Sequence, residues 1–158
     1  MTQAEYEAYL EHMVPLYAAE GAKATGMAPE RALEKAREQI AGLLPRGPDT
    51  DGQHLKTVRL SSGEAVGSLW YASQLDATPA GVFLYDIVVD ETRRGQGLGT
   101  ACMRWLENEG KRLGASRLAL HVFTDNRDAI RLYEKLGFVS TSEGGGGMQM
   151  TKSLVRTG

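Results

Sequence analysis

The sequence predicts an α/β fold in which about four helices flank one sheet. Apolar residues recur at helical spacing through most of residues 1–52, whereas from about residue 53 they form short runs typical of strands. A glycine-rich turn at residues 95–99 separates an apolar run from an amphipathic segment, which is a strand–turn–helix pattern. The 158 residues suffice for one core. We therefore expect a single domain, 1–158, with a helical segment at 1–52 and a sheet core at 53–158.

The first helix is predicted over residues 2–20. Thr2 and Glu5 have the spacing of a capping box, in which a hydroxyl and a carboxylate three residues apart satisfy the first backbone N–H groups. Gly21 is expected to end the helix, because glycine commonly follows the last helical residue. The predicted apolar face consists of Tyr6, Tyr9, Leu10, Met13, Leu16 and Tyr17.

A second helix is predicted to begin at Pro29, because proline is well accommodated in the first turn of a helix. Its apolar spacing continues to Leu43 or Leu44, and Pro45 stops it because a proline cannot continue the backbone hydrogen bonds. Residues 46–52 are rich in Pro, Gly and Asp, which indicates a loop before the sheet begins.

Three strands are predicted next. Residues 55–60 and 65–71 have strand-like composition and are joined by Ser-Ser-Gly-Glu at 61–64, which indicates a hairpin. After a turn at 77–81, residues 82–89 form a nearly continuous apolar run. Such a run is typical of a central strand that is buried on both faces.

Helices and strands alternate in the remaining chain. The helix after the glycine turn is predicted to run to Leu113, and Gly114 caps it. The elements that follow are a strand at 117–123, a helix at 126–136, and strands at 138–142 and 148–155. The four glycines at 144–147 predict a flexible connection without chemical function.

Composition limits the classes of partner. A formal net charge of −2 gives no reason to expect nucleic acid, and no apolar run approaches the ~20 residues of a membrane helix. Cys102 is the only cysteine and the chain starts with polar residues, so we expect a cytoplasmic protein. Residues 1–51 carry 9 acidic and 5 basic side chains, whereas residues 91–158 carry 7 and 11. This asymmetry favours a cationic ligand near residues 1–51 and an anionic ligand near residues 91–158. The alternative is a random scatter of surface charge.

The glycine-rich turn is a candidate anion site. Residues 93–100 read Arg-Arg-Gly-Gln-Gly-Leu-Gly-Thr, and a turn of this kind at the start of a helix points several backbone N–H groups at one anion. Thr100 and Cys102 stand where a dinucleotide fingerprint would need its third glycine, and the lysine of a P-loop is absent. A tight turn without a ligand is the alternative.

Two motifs carry a resemblance to a known family. Residues 94–99, Arg-Gly-Gln-Gly-Leu-Gly, match R/Q-x-x-G-x-G/A, the acetyl-CoA signature of the GNAT family of N-acetyltransferases. Residues 126–138 resemble the N-x-x-A-x-x-L-Y-x-x-x-G-F segment of the same family. The resemblance covers about residues 55–155, and residues 1–52 resemble an uncharacterised bacterial subgroup. It implies a mixed, mostly antiparallel twisted sheet with a splayed parallel central pair, with the helical segment 1–52 on the acceptor side and the acetyl-CoA site in 53–158. Family members usually begin with a strand, but here the helix pattern starts at residue 2, so we expect that first strand to be reduced or missing.

The same resemblance implies acetyl-CoA as cosubstrate and assigns residues to it. Its diphosphate would meet the turn, namely Arg94, Gly95, Gln96, Gly97, Leu98, Gly99 and Thr100. Its pantetheine arm would pair with the backbone of Ile87, Val88 and Val89 and would contact Asn126 and Tyr133. In the family this tyrosine protonates the departing thiolate, a role that suits a phenol with a pKa near 10. The alternative for Tyr133 is a core aromatic residue.

The acceptor amine must lose a proton, and three residues are candidate bases. His121 comes first, because a histidine titrates near neutrality and resemblance places its strand beside the thioester. Its alternative is a partly buried histidine bonded to the backbone. Asp86 interrupts an apolar strand, where an unpaired carboxylate is costly; it could accept the proton through water, bind a cationic substrate, or serve as a structural partner. Glu20 is the third candidate.

The sequence therefore predicts an acetyl-CoA-dependent N-acyltransferase that acetylates a primary amine by direct attack in a ternary complex. The acceptor would be a small-molecule or peptide amine, with neither nucleic acid nor membrane as a partner, and a homodimer is possible because dimers are common in the family. Cys102 is expected in the core, and His12 and His54 lack ligand-spaced partners, so no metal is expected. The alternative is a catalytically silent CoA-binding or acyl-CoA-binding sensor or partner domain.

Overall fold

The computed structural model describes residues 1–77 and 79–154, and in this part of the chain six strands form one sheet in the order β1-β2-β3-β4-β6-β5. The strands are β1 (Gln53–Arg59), β2 (Ala65–Gln74), β3 (Gly81–Val89), β4 (Arg117–Phe123), β5 (Val139–Gly144) and β6 (Gly147–Ser153). The α-helices are α1 (Gln3–Thr25), α2 (Pro29–Leu43), α3 (Leu98–Leu113) and α4 (Arg127–Lys135). Among the described strands, β3 and β4 alone pair in parallel, so the predicted mixed, mostly antiparallel sheet is confirmed.

The first helix is longer than predicted. The prediction that Gly21 ends it is wrong, because α1 continues to Thr25 and is capped by Gly26 in the left-handed conformation, with φ 74°. One glycine inside a helix costs only about 1 kcal/mol relative to alanine, and the alanines at positions 22 and 24 favour continuation. The predicted capping box at the start of α1 is confirmed.

The sheet begins only after the first two helices, and it ends in a tight hairpin. No strand precedes α1 in the described residues, and the amino group of Met1 donates a hydrogen bond to the Leu55 carbonyl of β1 (3.0 Å). The connection between β5 and β6 is shorter than the predicted four glycines, because Gly144 ends β5, Gly147 begins β6, and Gly145 and Gly146 alone form the turn, at φ 62° and 80°. Positive φ at both positions is what a two-residue hairpin turn requires. The predicted strand end at Val155 lies outside the described residues.

The sheet separates two apolar clusters. On one face α3 and α4 cover the larger cluster, which includes Leu69, Leu84, Met103, Leu106, Leu118, Leu120, Tyr133 and Phe138. On the other face α1 and α2 cover a second cluster of Tyr6, Tyr9, Met13, Ile40, Leu44, Leu55 and Trp70. Leu16 and Tyr17, which were predicted on the apolar face of α1, are 53% and 41% exposed. Within the described residues, none of the helices has the length and apolarity needed to cross a membrane.

Candidate active site

A cavity of about 1180 Å³ lies where β3 and β4 separate, and its lining includes residues of all four helices and of the turn before α3. Thirteen predicted site residues line it, namely Asp86, Ile87, Val88, Val89, Arg94, Gly95, Gly97, Leu98, Gly99, Thr100, His121, Asn126 and Tyr133. Gln96 does not line it, so the predicted contact of its backbone stays a prediction. The third candidate base, Glu20, lines the cavity from α1.

The gap between the central strands follows from their register. Parallel pairing runs from Gly81 opposite Arg117 to Leu84 opposite Leu120 and goes no further. Beyond these pairs β3 continues beside β2, and β4 continues beside β6. The backbone of residues 85–89 therefore faces the gap on one side, where an amide-rich chain could pair with it as an additional strand would.

A β-bulge at Tyr85 sets the direction of Asp86. Trp70 lies opposite Asp86 and Tyr71 lies opposite Leu84, so Tyr85 is the extra residue on β3. Because side chains alternate along a strand, an unbulged β3 would point Asp86 to the face that holds Leu84 and the larger cluster. The bulge instead places Asp86 on the face of Trp70, toward α1 and α2.

Asp86 is half-buried and has a partner that the sequence analysis treated only as a core residue. The Tyr9 hydroxyl donates a hydrogen bond to Oδ2 of Asp86 (2.6 Å) across 77 residues of sequence. Burial raises the pKa of the Asp86 carboxyl, and the bonds from Tyr9 and the Ile87 amide, together with the charge of His12, offset part of that rise. Asp86 is therefore a carboxylate whose protonation is easier than that of an exposed aspartate.

Tyr133 lies at the cavity on α4 and is 7% exposed. Burial, and then the negative charge of Asp86, raises the pKa of Tyr133 to about 12, so the phenol is protonated at neutral pH. Asn126 is the N-cap of α4, and its Oδ1 accepts a hydrogen bond from the backbone N–H of Ala129 (3.3 Å). Asn126 thus fixes the start of the helix that carries Tyr133, and it also lines the cavity.

The glycine turn has the backbone conformation that an anion site requires. Gly95 and Gly97 adopt left-handed φ values of 77° and 79°, which other residues rarely tolerate. Gly97 is the N-cap of α3 and offers no side chain, so the amides of the first helical turn are not capped by it. Arg94 donates a hydrogen bond to the Val89 carbonyl (3.2 Å), which ties the turn to the end of β3, while Arg93 forms an ion pair with Glu64.

His121 is exposed at the cavity and points away from the larger apolar cluster, as the alternation along β4 predicts. Its imidazole lies directly over Gly147 of β6, where any Cβ would overlap the ring. The partly buried alternative for His121 is therefore not what the structure has. The glycine at 147, which was given no function in the sequence analysis, provides the space for this histidine.

Acidic and aromatic groups mark the side of the cavity toward α1 and α2. Burial raises the pKa of Glu20, and the negative charges of Asp86 and Asp125 raise it further. Lys23 forms an ion pair with Asp125 (2.7 Å). Tyr17, Trp70, Phe83 and Tyr85 line the cavity there, and the rings of Trp70 and Phe83 each contact that of Tyr85. Within the described residues there is no group of three or more His, Cys, Asp or Glu side chains that could hold a metal ion.

The comparison with protein families decides the assignment. The model of the acetyltransferase (GNAT) family matches residues 31–138, which include the glycine turn, Asp86 and Tyr133. The chain belongs to the GNAT family. Members of this family use acetyl-CoA as the acetyl donor, and the chain is accordingly an N-acyltransferase.

Individual GNAT relatives agree with this assignment over nearly the whole chain. The chain is 33% identical to the uncharacterised N-acetyltransferase YycN of Bacillus subtilis over 141 residues, 89% of this chain and 90% of YycN. It is 32% identical to YdgE of the same organism over 143 residues, 90% of each chain. The crystal structure of YycN matches with a TM-score of 0.86 over 91% of this chain and 92% of that one. A 55-residue match, 44% identical, relates 35% of this chain to 37% of the ribosomal protein bS18 alanine N-acetyltransferase of Escherichia coli.

Proposed function

We propose that this protein transfers the acetyl group of acetyl-CoA to a primary amine by direct attack in a ternary complex. The observation that carries the proposal is that one cavity is lined by three kinds of group. These are the uncapped start of α3, the side chains of Tyr133 and Asp86 beside the separating strands, and acidic and aromatic side chains of α1, β2 and β3. They suit the diphosphate, the thioester and the amine that a ternary complex must hold.

Acetyl-CoA fits the residues present. The amides at the start of α3 and the charge of Arg94 suit a diphosphate, which is stabilised by the positive end of a helix. The gap edge of Ile87, Val88 and Val89 suits the amide groups of the pantetheine arm. The cosubstrate supplies an acetyl thioester, whose carbonyl carbon is the electrophile.

The reaction removes two protons from a protonated amine and gives one to the thiolate. An amine with a pKa of ~10.4 is mostly protonated at pH 7, and deprotonating it costs roughly 4–5 kcal/mol. It loses one proton before its nitrogen attacks the carbonyl carbon and a second as the amide forms, while the C–S bond breaks and the sulfur leaves with the electron pair. We assign the first proton to Asp86, whose charge acts on Tyr133, and the proton that the thiolate gains to Tyr133. The second proton of the amine restores the Tyr133 phenol through water, and Asp86 returns its proton to solvent.

The electrostatic contact between these two residues supports this division. The negative charge of Asp86 contributes to the raised pKa of Tyr133, which makes the phenol a weak acid in the resting enzyme. When Asp86 takes up the amine's proton, that charge is neutralised and the Tyr133 pKa falls. Tyr133 therefore becomes a stronger acid at the stage when the thiolate needs its proton.

The acceptor proposed is a cationic amine with an apolar body. Glu20 and Asp86 attract an ammonium group, and the neighbouring aromatic rings can cover apolar surface or face the cation. The bS18 enzyme is named for acetylating an alanine of a ribosomal protein, which is compatible with a peptide amine, but the match covers only 35% of this chain. We therefore propose small-molecule and peptide amines as one test panel.

The test measures binding and turnover separately. Calorimetry with CoA should show binding, and mass spectrometry should detect acetylated product with at least one primary amine of the panel. Binding without any acetylated product would favour the silent CoA-binding alternative, and absence of binding would contradict both readings.

Two variants then identify the proton acceptor. Asp86→Asn should lower kcat/KM by about 100-fold, in the range of lost acid–base catalysis. His121→Ala should lower it less than tenfold and leave the pH profile unchanged. The reverse result would transfer the role to His121, which lines the same cavity.

A further inference from the structure

We infer that Tyr9 is a positioning residue for Asp86, whose hydroxyl orients the carboxylate at the strand gap and keeps it ionised for the acceptor amine. This inference rests on the proposed function of Asp86, and it adds to the active site a residue from α1, 77 positions away in sequence. It also gives α1 a chemical role, in addition to covering one face of the sheet.

The Tyr9 ring is buried, and its hydroxyl contacts Asp86. Tyr9 is 7% exposed and packs in the cluster of Met13, Ile40 and Trp70, so its ring is held on nearly all sides. The hydroxyl is the polar end of this buried ring, and it lies 2.6 Å from Oδ2 of Asp86. Burial, and then the charge of Asp86, raises the pKa of Tyr9, so the phenol remains a hydrogen-bond donor throughout the physiological range.

The carboxylate reaches Tyr9 only because the strand is irregular. The bulge at Tyr85 turns Asp86 from the side of Leu84 to the side of Trp70, where α1 lies. The hydrogen bond from Tyr9 fixes the position of Oδ2, and with it the orientation of the carboxylate. The bulge directs the carboxylate toward α1, and the buried phenol of Tyr9 donates to it there. Bulges are frequent beside active sites because they reorient side chains.

Several other groups act on the same carboxylate. From α1, His12 and Glu20 contribute charge, and from α4 Tyr133 interacts with it electrostatically. Within β3 the Ile87 amide stabilises the ionised form, as Tyr9 does. Removing the Tyr9 hydroxyl leaves these groups in place, so the change isolates the contribution of one hydrogen bond.

The experiment compares Tyr9→Phe with Tyr6→Phe. Tyr6 lies one turn earlier on the same helix, is 8% exposed and belongs to the same cluster, but it does not line the cavity. Aspartate labelled with ¹³C at the carboxyl carbon gives one resonance for each of the seven aspartates, and the resonance that disappears in Asp86→Asn belongs to Asp86. The carboxyl titration is followed by NMR, and the kcat/KM profile is measured from pH 5 to 9 on the same samples.

In Tyr9→Phe the Asp86 titration should move to higher pH by about one unit, because the ionised carboxylate loses a donor. The acidic limb of kcat/KM should move with it, giving about a tenfold loss on that limb and recovery at high pH. CoA affinity should stay within about twofold of wild type, which confirms that the variant folds. Tyr6→Phe should move neither titration nor profile.

An unshifted Asp86 titration in a folded Tyr9→Phe protein would overturn the inference, whether or not the enzyme turns over. A shifted titration with an unmoved rate profile would also overturn it, because Tyr9 would then be a structural partner only. The NMR result needs no acetyl transfer, so failure of this inference is distinguishable from failure of the proposed function.

Discussion

The proposed donor side and the proposed acceptor side of the cavity are built in different ways. The donor side is a short continuous stretch, residues 94–100, in which we expect backbone amides, freed by left-handed glycines, to be the binding groups. The acceptor side is assembled from side chains of α1, β3 and β4, and its central contact joins Tyr9 to Asp86. We therefore expect backbone conformation to determine CoA binding on the donor side, and hydroxyl and carboxyl groups to determine the chemistry on the acceptor side.

This difference predicts different sensitivities. Substitutions that alter backbone freedom should weaken CoA binding while leaving acceptor chemistry intact. Substitutions that remove one polar group near the strand gap should impair turnover while leaving CoA affinity intact. Tyr133 lies where the two sides meet, so its replacement should have the largest effect on rate.

Tyr133→Phe should lower kcat by about 100-fold or more, because the departing thiolate loses its proton donor. The affinity for CoA should change by less than about twofold, since the ring remains in place. Steady-state kinetics and calorimetry on the same preparation measure the two quantities. Tyr71→Phe is the matched control, because Tyr71 is also buried, its pKa is also raised to about 12, and it does not line the cavity.

Normal turnover in Tyr133→Phe would show that another group or water protonates the thiolate. Equal losses in the Tyr133 and Tyr71 variants would attribute the effect to the apolar cluster that both residues share. Either result would show that Tyr133 of α4 contacts CoA without taking part in the proton transfer.

Gly97→Ala should raise the dissociation constant of CoA by about tenfold. A non-glycine residue in the left-handed region costs roughly 1–2 kcal/mol, and relaxing this strain reorients the amides that start α3. Gly63→Ala is the control, because Gly63 has φ 92° in the β1–β2 turn and an added Cβ meets no atom within 4 Å there, as at Gly97. Both variants should lose similar stability in thermal unfolding, and Gly97→Ala alone should lose CoA affinity.

If both glycine variants bound CoA as tightly as wild type, the turn would not be the diphosphate site. If both lost affinity equally, the effect would be one of global stability. In the expected case the acceptor KM remains unchanged in Gly97→Ala, which separates the donor side from the acceptor side.

The two sides also differ in how well the sequence predicts them. The glycine turn and the helix that follows it come from patterns within a few residues, because left-handed conformations and helix starts leave a local signature. The place of Tyr133 at the site comes from the resemblance of residues 126–138 to a segment of the family. The strand at Arg117–Phe123 and the end of α3 at Leu113 are predicted at their observed bounds for the same reason. The length of α1 is mispredicted, since a single internal glycine is a weak stop signal.

The acceptor side depends on contacts that no local pattern records. Asp86 is recognisable as a charged residue in an apolar strand, but the bulge that turns it toward α1 depends on pairing with β2. Tyr9 fits the apolar spacing of its helix, and nothing in that spacing reveals that its hydroxyl has a partner. Likewise, Gly147 reads as part of a glycine run, although its lack of a side chain accommodates His121.

Glu20→Gln should have the smallest effect, raising the KM of a cationic acceptor about threefold at low ionic strength while kcat and CoA affinity stay constant. Glu20 lines the acceptor side from α1, so its charge attracts the ammonium group without touching the reacting atoms. The effect should shrink as salt is added, because screening weakens interactions across an open cavity. The effect should also shrink on acidification, because Glu20 loses its charge when protonated. This should occur at a higher pH than for an ordinary glutamate, since burial and the charges of Asp86 and Asp125 raise the pKa of Glu20.

Glu11→Gln, on the same helix but outside the cavity lining, serves as the control. A KM that rises equally in both variants would mean that net charge steers the acceptor, and that Glu20 has no particular place in the acceptor site.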